Sequence, residues 1–287
     1  MLNKMLQRDC VIEHITEHLL NNKKFNFISA DFGAKALDRL REEYPQNFHF
    51  VGIAEQFAID FAYGLSSSSL NPIVYGMSPF ITLRCIEQVK VLFGQSKFPL
   101  LLMSVGGGLG YDHSTLSHFS LEDISLLGSI PGFKVLTPAD CKRSENFVKK
   151  WLKSPNQIYL RLERQSLPFD ISESYDTQNE YLVHNIKNRE KIAIFSSPYL
   201  AYEYEKLNHE DSIIIIESTM PLPNNILELI TKAKTVKLFE EAYEFTGIYP
   251  WITKNISFKN LEHHFIGEEI ADDRLKRKSI WEKYNLI

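Results

Sequence analysis

The sequence has few cysteines and no long apolar run, and each absence excludes a class of protein. Its three cysteines, Cys10, Cys85 and Cys141, lie far apart, form no CxxC pair and are odd in number. This pattern argues against a disulfide framework and against a structural zinc site. The longest apolar stretches, residues 99–105 and 213–216, have the length of strands, so no transmembrane helix is predicted. Residues 1–10 lack the apolar segment of a signal peptide, which favours a cytoplasmic protein.

The sequence also lacks an excess of positive charge. It has 32 Lys and Arg residues against 36 Asp and Glu residues, which gives a net charge of -4 over 287 residues. Because a nucleic-acid protein shows a basic excess, no nucleic-acid partner is expected. With 44% hydrophobic residues the composition is that of an ordinary globular protein, and the length suits about two domains.

Short apolar runs alternate with amphipathic stretches along the first half of the chain. The runs predict strands at residues 25–30, 48–52, 72–76, 100–105, 133–137 and 157–162. The stretches predict helices at residues 7–21, 34–43, 54–65, 80–93, 121–127 and 141–153. Alternation of this kind, with strands that are apolar throughout, indicates an α/β fold in which helices cover both faces of a parallel sheet.

The composition changes after residue 164. Residues 165–186 contain no Lys or Arg and are rich in acidic and small polar residues, which is typical of an interdomain connection. Further strands are predicted at residues 191–196, 212–217 and 235–239, with helices at 199–207, 224–231 and 271–284. We therefore predict a first domain over residues 1–169, a linker over 170–190 and a smaller α/β domain over 191–287.

Polar residues and glycines concentrate in the loops that follow the predicted strands, where ligands bind in an open parallel sheet. Glu55 follows a strand and begins a helix, a position where the helix dipole alone favours a carboxylate. The same carboxylate is also placed to exchange a proton with a ligand nitrogen. The glycine-rich residues 106–110 do not fit the GxGxxG spacing of a nucleotide loop, so a flexible substrate loop is predicted.

Two further residues have both a structural and a functional interpretation. His118 either sits beside a helix cap at Ser117 or gives a hydrogen bond or proton to a substrate oxygen. A metal site formed with His113 is improbable, because no cysteine is adjacent and the spacing is that of a loop. Arg164 either forms a surface ion pair or, together with Arg161, binds an anion such as a sugar phosphate.

At these positions the chain resembles the pyrimidine-binding domain of transketolase and related thiamine-diphosphate enzymes. The matching segments, in register with the predicted strands, are residues 29–31, 52–56, 78–80 with Arg84 and 87–88, 117–118 with 121–123, 131–132 with 137–140, and 162–168. The second domain is similar to the C-terminal domain of that family through residues 239–241 and Gly247. The resemblance thus covers nearly the whole chain.

The resemblance implies roles for individual residues and a cofactor, thiamine diphosphate. Glu55 would hydrogen-bond the aminopyrimidine ring and favour the imino tautomer that deprotonates the thiazolium carbon. Phe80 would stack on the pyrimidine, with Met77 and Arg84 as further cofactor contacts. His118 would act near the substrate oxygens. A two-carbon ketol unit would then be transferred between sugars, with the cofactor as electron sink.

The resemblance extends to the substrate but includes departures from the family. Arg164 would bind a substrate phosphate, and Lys35 stands where relatives use a serine for phosphate. Met77 replaces a common aromatic, Phe119 replaces a Gln or His, and the loop at residues 105–108 lacks a phosphate-binding histidine. These changes predict an adapted sugar specificity rather than pentose phosphates.

The family's GDG motif, which binds the diphosphate and Mg²⁺, does not occur in the sequence. The chain therefore resembles the C-terminal half of a split transketolase, which implies an N-terminal subunit carrying the diphosphate domain and Mg²⁺. A homodimer within an α2β2 assembly is expected, with no activity of the chain alone. The alternatives are the β-subunit of a 2-oxo acid dehydrogenase, a relative of deoxyxylulose-phosphate synthase, or a non-catalytic scaffold that keeps the fold.

Overall fold

A computed structural model describes residues 4–19, 24–30, 34–168, 170–178, 180–185, 191–208, 211–256, 260–272 and 274–287. The helices are α1 (Gln7–Leu19), α2 (Asp38–Glu43), α3 (Glu55–Ser67), α4 (Ser78–Ile81), α5 (Ile86–Gln88), α6 (Asp123–Gly128), α7 (Cys141–Lys153), α8 (Pro198–Glu205), α9 (Asn224–Thr231), α10 (Tyr249–Asn255) and α11 (Arg277–Lys283). The strands are β1 (Lys4–Met5), β2 (Phe25–Ser29), β3 (Phe48–Phe50), β4 (Asn71–Met77), β5 (Leu100–Val105), β6 (Lys134–Leu136), β7 (Gln157–Leu162), β8 (Leu167–Pro168), β9 (Asp176–Thr177), β10 (Tyr181–His184), β11 (Lys191–Phe195), β12 (Ser212–Ile216), β13 (Ser218–Met220), β14 (Thr235–Phe239) and β15 (Leu261–His264).

The first sheet confirms the predicted parallel α/β architecture. Among the described residues it has the strand order β13-β6-β7-β5-β4-β2-β3, and every pair is parallel except β13 with β6. All residues of β2, β5 and β7 are buried, as their continuous apolar runs predicted. The carboxyl ends of β2, β4, β5 and β7 therefore meet at one edge of the sheet.

Alternate residues of these strands feed two different cores, because successive side chains point to opposite faces. On one face, residues such as Phe27 and Met103 pack with α1 and α7. On the other face, residues such as Val74 and Leu102 pack with α3, and this core continues into apolar residues of β11 and β12. One hydrophobic core thus joins the first sheet to the second half of the chain.

The second sheet has the strand order β15-β14-β11-β12-β10-β9 among the described residues. It confirms the strands predicted near residues 191, 212 and 235. The predicted linker contributes more than a connection, because β9 and β10 lie within it and β10 pairs antiparallel with β12. Residues 179 and 186–190 of that linker lie outside the described residues. The division of the chain into these three segments stays a prediction.

The structure corrects the single helix predicted over residues 80–93. The chain there is α4, a 3₁₀ turn at Leu83–Cys85, α5 and a π-helical turn at Val89–Phe93. The break follows from side chains that bond back to the backbone: the Thr82 hydroxyl donates to the Ser78 carbonyl at 2.6 Å, and the Cys85 thiol to the Phe80 carbonyl at 3.2 Å. Such local bonds compete with regular helical pairing.

The cysteine pattern argued against a disulfide framework, but the structure pairs two of the three cysteines. Cys10 on α1 and Cys141 at the start of α7 form a disulfide, with their Cα atoms 5.8 Å apart. The two residues are 131 positions apart in sequence, and they meet because α1 packs along α7 on the same face of the sheet. Spacing along the chain carried no sign of this contact.

Candidate active site

Glu55 lies at the carboxyl edge of the first sheet, as its position in the sequence predicted. Gly52, with φ +72°, turns the chain between β3 and α3, and Glu55 is the first residue of α3. A residue with a side chain is strained at that backbone angle. The Glu55 carboxylate is only 5% exposed, and its Oε2 accepts a hydrogen bond from Arg84 Nη1 at 2.7 Å. The helix terminus thus holds a buried carboxylate whose charge is balanced by one arginine.

Arg84, Phe80 and His118 follow this carboxylate in a series of contacts. The Arg84 guanidinium carbon lies 4.4 Å from the centre of the Phe80 ring, and the Arg84 side chain is 45% exposed. The Phe80 ring meets the His118 ring edge to face, with centroids 5.0 Å apart. Met77 is half-buried at the end of β4 and lies in register with Val105 of β5. The structure therefore joins Glu55, Arg84, Phe80 and His118 in one continuous series of contacts.

His118 is held in a specific environment and is partly withdrawn from water. It ends a 3₁₀ turn, Leu116–His118, rather than starting a helix, and its Nδ1 lies 2.9 Å from the Ser117 hydroxyl. The Tyr111 ring lies 5.9 Å away, centre to centre. Burial, and to a smaller degree the nearby His113, lowers the pKa of His118. The imidazole is accordingly neutral at neutral pH, so it can donate one hydrogen bond and accept another.

Arg164 extends this series of contacts to an adjacent cavity of about 370 Å³. Its guanidinium carbon lies 4.5 Å from the centre of the Tyr111 ring, and its Nη1 donates to the Gly110 carbonyl at 3.4 Å. Arg8, near the start of α1, lines the same cavity. Arg8 was not among the residues predicted from the sequence, since its place beside Asp9 in a first helical turn gives no sign of a site. Arg8 Nε donates to Asp9 Oδ1 at 2.7 Å, so Arg164 and the other end of the Arg8 guanidinium give this cavity the chemistry of an anion site.

Arg161 does not share this role, so the interpretation in which Arg161 and Arg164 bind an anion together is wrong. Arg161 is buried, and its Nε donates to Asp123 Oδ2 at 2.8 Å. The same oxygen accepts the hydroxyl groups of Tyr159 at 2.7 Å and Ser78 at 3.1 Å. Successive residues of a strand point to opposite faces, but Arg161 lies within β7 and Arg164 lies after its end, where this alternation stops. The spacing of the two arginines therefore does not place them on one face. Asp123 and Tyr159 hold Ser78, the first residue of the helix that carries Phe80.

Two of the strand-end loops are structural rather than substrate-binding. All residues of the loop 106–110 are buried, which corrects the flexible substrate loop that its glycines predicted. Gly106, with φ +84°, has no room for a Cβ because the Tyr111 ring packs against it. In the loop at 138–140, Asp140 caps α7 by accepting the Arg143 N–H at 2.7 Å. These loops support the site by fixing Tyr111 and α7.

Lys35 is not brought to this cluster. It is exposed on a 3₁₀ turn, Lys35–Leu37, and lines a separate groove with Glu13 and His14 of α1 and Glu145 of α7. The preceding residues 31–33 lie outside the described residues, and residue 31 is the last residue of the matched segment 29–31. Lys35 therefore stays apart from the contacts that join Glu55 to Arg164.

The described part of the chain contains neither a metal-binding cluster nor a membrane-spanning helix. Nowhere in the described ranges do three or more His, Cys, Asp or Glu side chains cluster in a way that could hold a metal ion. None of the helices in those ranges has both the length and the apolar character needed to cross a bilayer.

The sequence is similar to two groups of curated proteins. The chain is 31% identical over 178 residues to a subunit of the apulose-4-phosphate transketolase of Phocaeicola vulgatus, covering 61% of this chain and 57% of that protein. It is 29% identical over 226 residues to 1-deoxy-D-xylulose-5-phosphate synthase of Tropheryma whipplei, covering 75% of this chain and 35% of that enzyme. The chain thus spans about half of one curated relative and a third of the other.

A solved structure and a family model extend the comparison. The fold superposes on a split-gene transketolase described as an inactive beta4 tetramer, with a TM-score of 0.81 and 20% identity over 99% of this chain and 94% of that one. At that identity the likeness establishes the fold alone. The model of the transketolase pyrimidine-binding domain matches residues 4–170, which is more than half of the chain and includes Glu55, Phe80, His118 and Arg164. The chain therefore belongs to the family of the transketolase pyrimidine-binding domain.

Proposed function

We propose that this chain is one half of a split, thiamine-diphosphate-dependent transketolase and contributes the pyrimidine-binding part of the active site. The observation that carries the proposal is the buried Glu55 carboxylate at a helix start, which Arg84 joins to the Phe80 ring. The Phe80 ring in turn contacts the neutral His118 imidazole. Membership of the family and the likeness to a subunit of the Phocaeicola vulgatus transketolase support it. The reaction is the transfer of a two-carbon ketol unit between sugars.

The donor set at this edge of the sheet fits an aminopyrimidine. A buried carboxylate can exchange a proton with a ring nitrogen, and an aromatic face can stack on the ring. Glu55 would hold the nitrogen, Phe80 would stack, and Met77 would border the ring from the end of β4. Arg84 covers the Phe80 face, but nearly half of its side chain is in solvent, so it can withdraw while staying near Glu55. When bound, the cofactor supplies a thiazolium ring that serves as electron sink for the transferred fragment.

The cavity that Tyr111 and Arg164 line suits a phosphorylated sugar. Arg8 and Arg164 both line it, and guanidinium groups bind phosphate through paired hydrogen bonds. The neutral His118 contacts Phe80 and also Tyr111, which lines this cavity, and there it can hydrogen-bond a sugar hydroxyl or carbonyl oxygen. We assign His118 to the substrate oxygens and Arg164, together with Arg8, to the phosphate. Lys35 is left without a role in this arrangement.

A partner chain completes the proposed site. The sequence carries no GDG motif, so the diphosphate and Mg²⁺ would be bound by a second protein chain. Phe50, Ile53 and Phe57 flank Glu55 and are 43%, 84% and 55% exposed. Large apolar side chains in one exposed patch mark a contact surface. We propose that the partner's diphosphate domain packs on this patch in an α2β2 assembly in the cytoplasm.

Replacing Glu55 with Gln in the complex of this chain with its diphosphate-domain partner tests the proposal. Glutamine keeps the size and a hydrogen bond but cannot exchange the proton, so kcat should fall by roughly 10²–10⁴-fold. Proton exchange at the thiazolium carbon should slow with it. The matched control is Glu42→Gln, which changes an exposed carboxylate on α2 outside this series of contacts and should leave both rates unchanged.

The outcomes also separate the alternatives. Turnover of pyruvate rather than a ketose would favour a deoxyxylulose-phosphate-synthase-like enzyme, whose likeness covers 75% of this chain. An unchanged exchange rate in Glu55→Gln would remove Glu55 from catalysis. A complex that binds the cofactor without turning over any ketose or pyruvate would return the chain to a scaffold role.

A further inference from the structure

Glu163, the residue before Arg164, is buried and fully engaged. It is 6% exposed and directly follows β7. Its Oε1 accepts the backbone N–H groups of Arg164 at 2.8 Å and Gln165 at 3.0 Å. Its own N–H donates to Oε1 of Gln7 on α1 at 2.7 Å. One side chain therefore fixes the direction in which the chain leaves the strand, and with it the position of Arg164.

The Glu163 carboxylate is held in place by a residue near the C-terminus. Arg277, the first residue of α11, donates from Nη1 to Glu163 Oε1 at 2.7 Å and from Nη2 to Oε2 at 2.9 Å. Burial alone would raise the pKa of Glu163, but the Arg277 guanidinium and the hydrogen bonds outweigh it, so the pKa is lowered. Glu163 thus stays ionised and keeps accepting from the two backbone groups.

Arg277 is itself oriented by the second half of the chain. Its Nε and Nη2 donate to the two oxygens of Glu241 at 2.7 and 2.6 Å. Glu241 also accepts from Trp281 Nε1 at 2.6 Å. The guanidinium therefore forms two forks, one on each carboxylate, a geometry that a lysine cannot reproduce. The Arg277 backbone N–H donates to Asp112, next to Tyr111, at 3.0 Å.

We infer that Glu163 and Arg277 are positioning residues for the anion grip of Arg164, through which the C-terminal helix sets substrate affinity. This inference rests on the proposed phosphate site. Glu163 borders the cavity, but its carboxylate already accepts hydrogen bonds from Arg277 and from the N–H groups of residues 164 and 165. Glu163 therefore acts on the anion only indirectly, by fixing the backbone that carries Arg164. Arg277 acts through Glu163. The helix α11 then supports the substrate site from the C-terminal part of the chain, more than 100 residues after Arg164.

The test is Arg277→Lys in the intact chain, with inorganic phosphate as the probe. Loss of the fork should speed hydrogen exchange of the Arg164 and Gln165 amides by about tenfold or more, since bonds to a charged acceptor are among the stronger ones. The phosphate Kd, followed by NMR shifts, should weaken by about fivefold. Arg143→Lys is the matched control, because Arg143 is also buried and forks onto Glu217, far along the chain from residues 163–165.

Each outcome bears on a different statement. Unchanged exchange at residues 164 and 165 would overturn the inference and leave the proposed function intact. Faster exchange with an unchanged phosphate Kd would make Glu163 a purely structural residue, which also overturns it. An equal loss of phosphate affinity in Arg143→Lys would overturn it too, by assigning the effect to general destabilisation. If the wild-type chain bound no phosphate at Arg164, the phosphate site of the proposed function would fail first and the inference with it.

Discussion

Replacing Asp123 with Asn should destabilise the fold more than any surface substitution, because this carboxylate is a buried acceptor for several donors. Asp123 is 1% exposed, and its Oδ2 accepts from Arg161, Tyr159 and Ser78 at 2.8, 2.7 and 3.1 Å. Asparagine keeps the shape but removes the charge that balances the buried Arg161. Removing one partner of a buried ion pair costs about 3–5 kcal/mol, a large part of a typical stability of about 5–15 kcal/mol.

Urea unfolding followed by circular dichroism measures this loss. Asp38→Asn is the control, since Asp38 pairs with Arg41 on the surface of α2 and should lose less than about 1 kcal/mol. Adding Arg161→Met to Asp123→Asn removes the unpaired charge and should restore part of the stability. If the free energy of unfolding falls by less than about 1 kcal/mol in Asp123→Asn, or does not recover in the double variant, the Asp123–Arg161 pair does not organise the buried contacts that hold Ser78 and Phe80.

Two further predictions concern thiols and a histidine. Burial, and to a smaller degree the Glu55 charge, raises the pKa of Cys85 to about 12, and Cys10 and Cys141 are bonded to each other. Thiol titration without reductant should therefore find no reactive thiol in the native chain and one in the unfolded chain. A second thiol on unfolding would contradict the disulfide. Because burial lowers the pKa of His118 below 6.5, the stability that the neutral imidazole contributes should be lost as the pH falls below that value. Phe80→Ala should raise the pKa of His118 by exposing its ring, which an NMR titration measures. An unchanged pKa in that variant would assign the shift to other neighbours.

The strands and the place of Glu55 could be predicted from the sequence because both depend on local patterns. Continuous apolar runs specify strands buried on two faces, and a carboxylate at a strand-to-helix turn is visible in the sequence itself. The strand β10 escaped prediction because its four residues lie inside a polar stretch and gain their pairing from β12 and β9. Arg8 and Arg161 were misjudged for a similar reason: which arginine reaches a cavity depends on tertiary packing.

The break in the helix over residues 80–93 shows the same limit on a smaller scale. Its apolar positions recur as in a helix, but the Thr82 and Cys85 side chains bond to nearby carbonyls and interrupt it. The consequence reaches the site, because the interruption places Arg84 against both Phe80 and Glu55. A regular helix would present those residues in a different relative orientation.

Buried ion pairs explain how the second half of the chain is tied to the site. Arg143 of α7 forks onto Glu217, which lies between β12 and β13, and Arg277 of α11 forks onto Glu163 just after β7. Apolar contacts of equal area would hold the halves together at least as strongly, because desolvation cancels much of the gain from a buried pair. An apolar contact tolerates sliding, whereas a two-pronged fork permits a single register.

A triple variant separates these two roles of the Arg277 forks. Glu163→Gln and Glu241→Gln remove both charges while keeping acceptors for the Arg164 and Gln165 N–H groups and for Trp281, and Arg277→Met removes the guanidinium. If the role is positional, the free energy of unfolding should change by less than about 1 kcal/mol while phosphate binding weakens as it does in Arg277→Lys. Urea unfolding and phosphate titration of the same preparation measure the two quantities. Phosphate affinity equal to that of the wild-type chain would show that the forks serve stability alone, because register would then be kept without them.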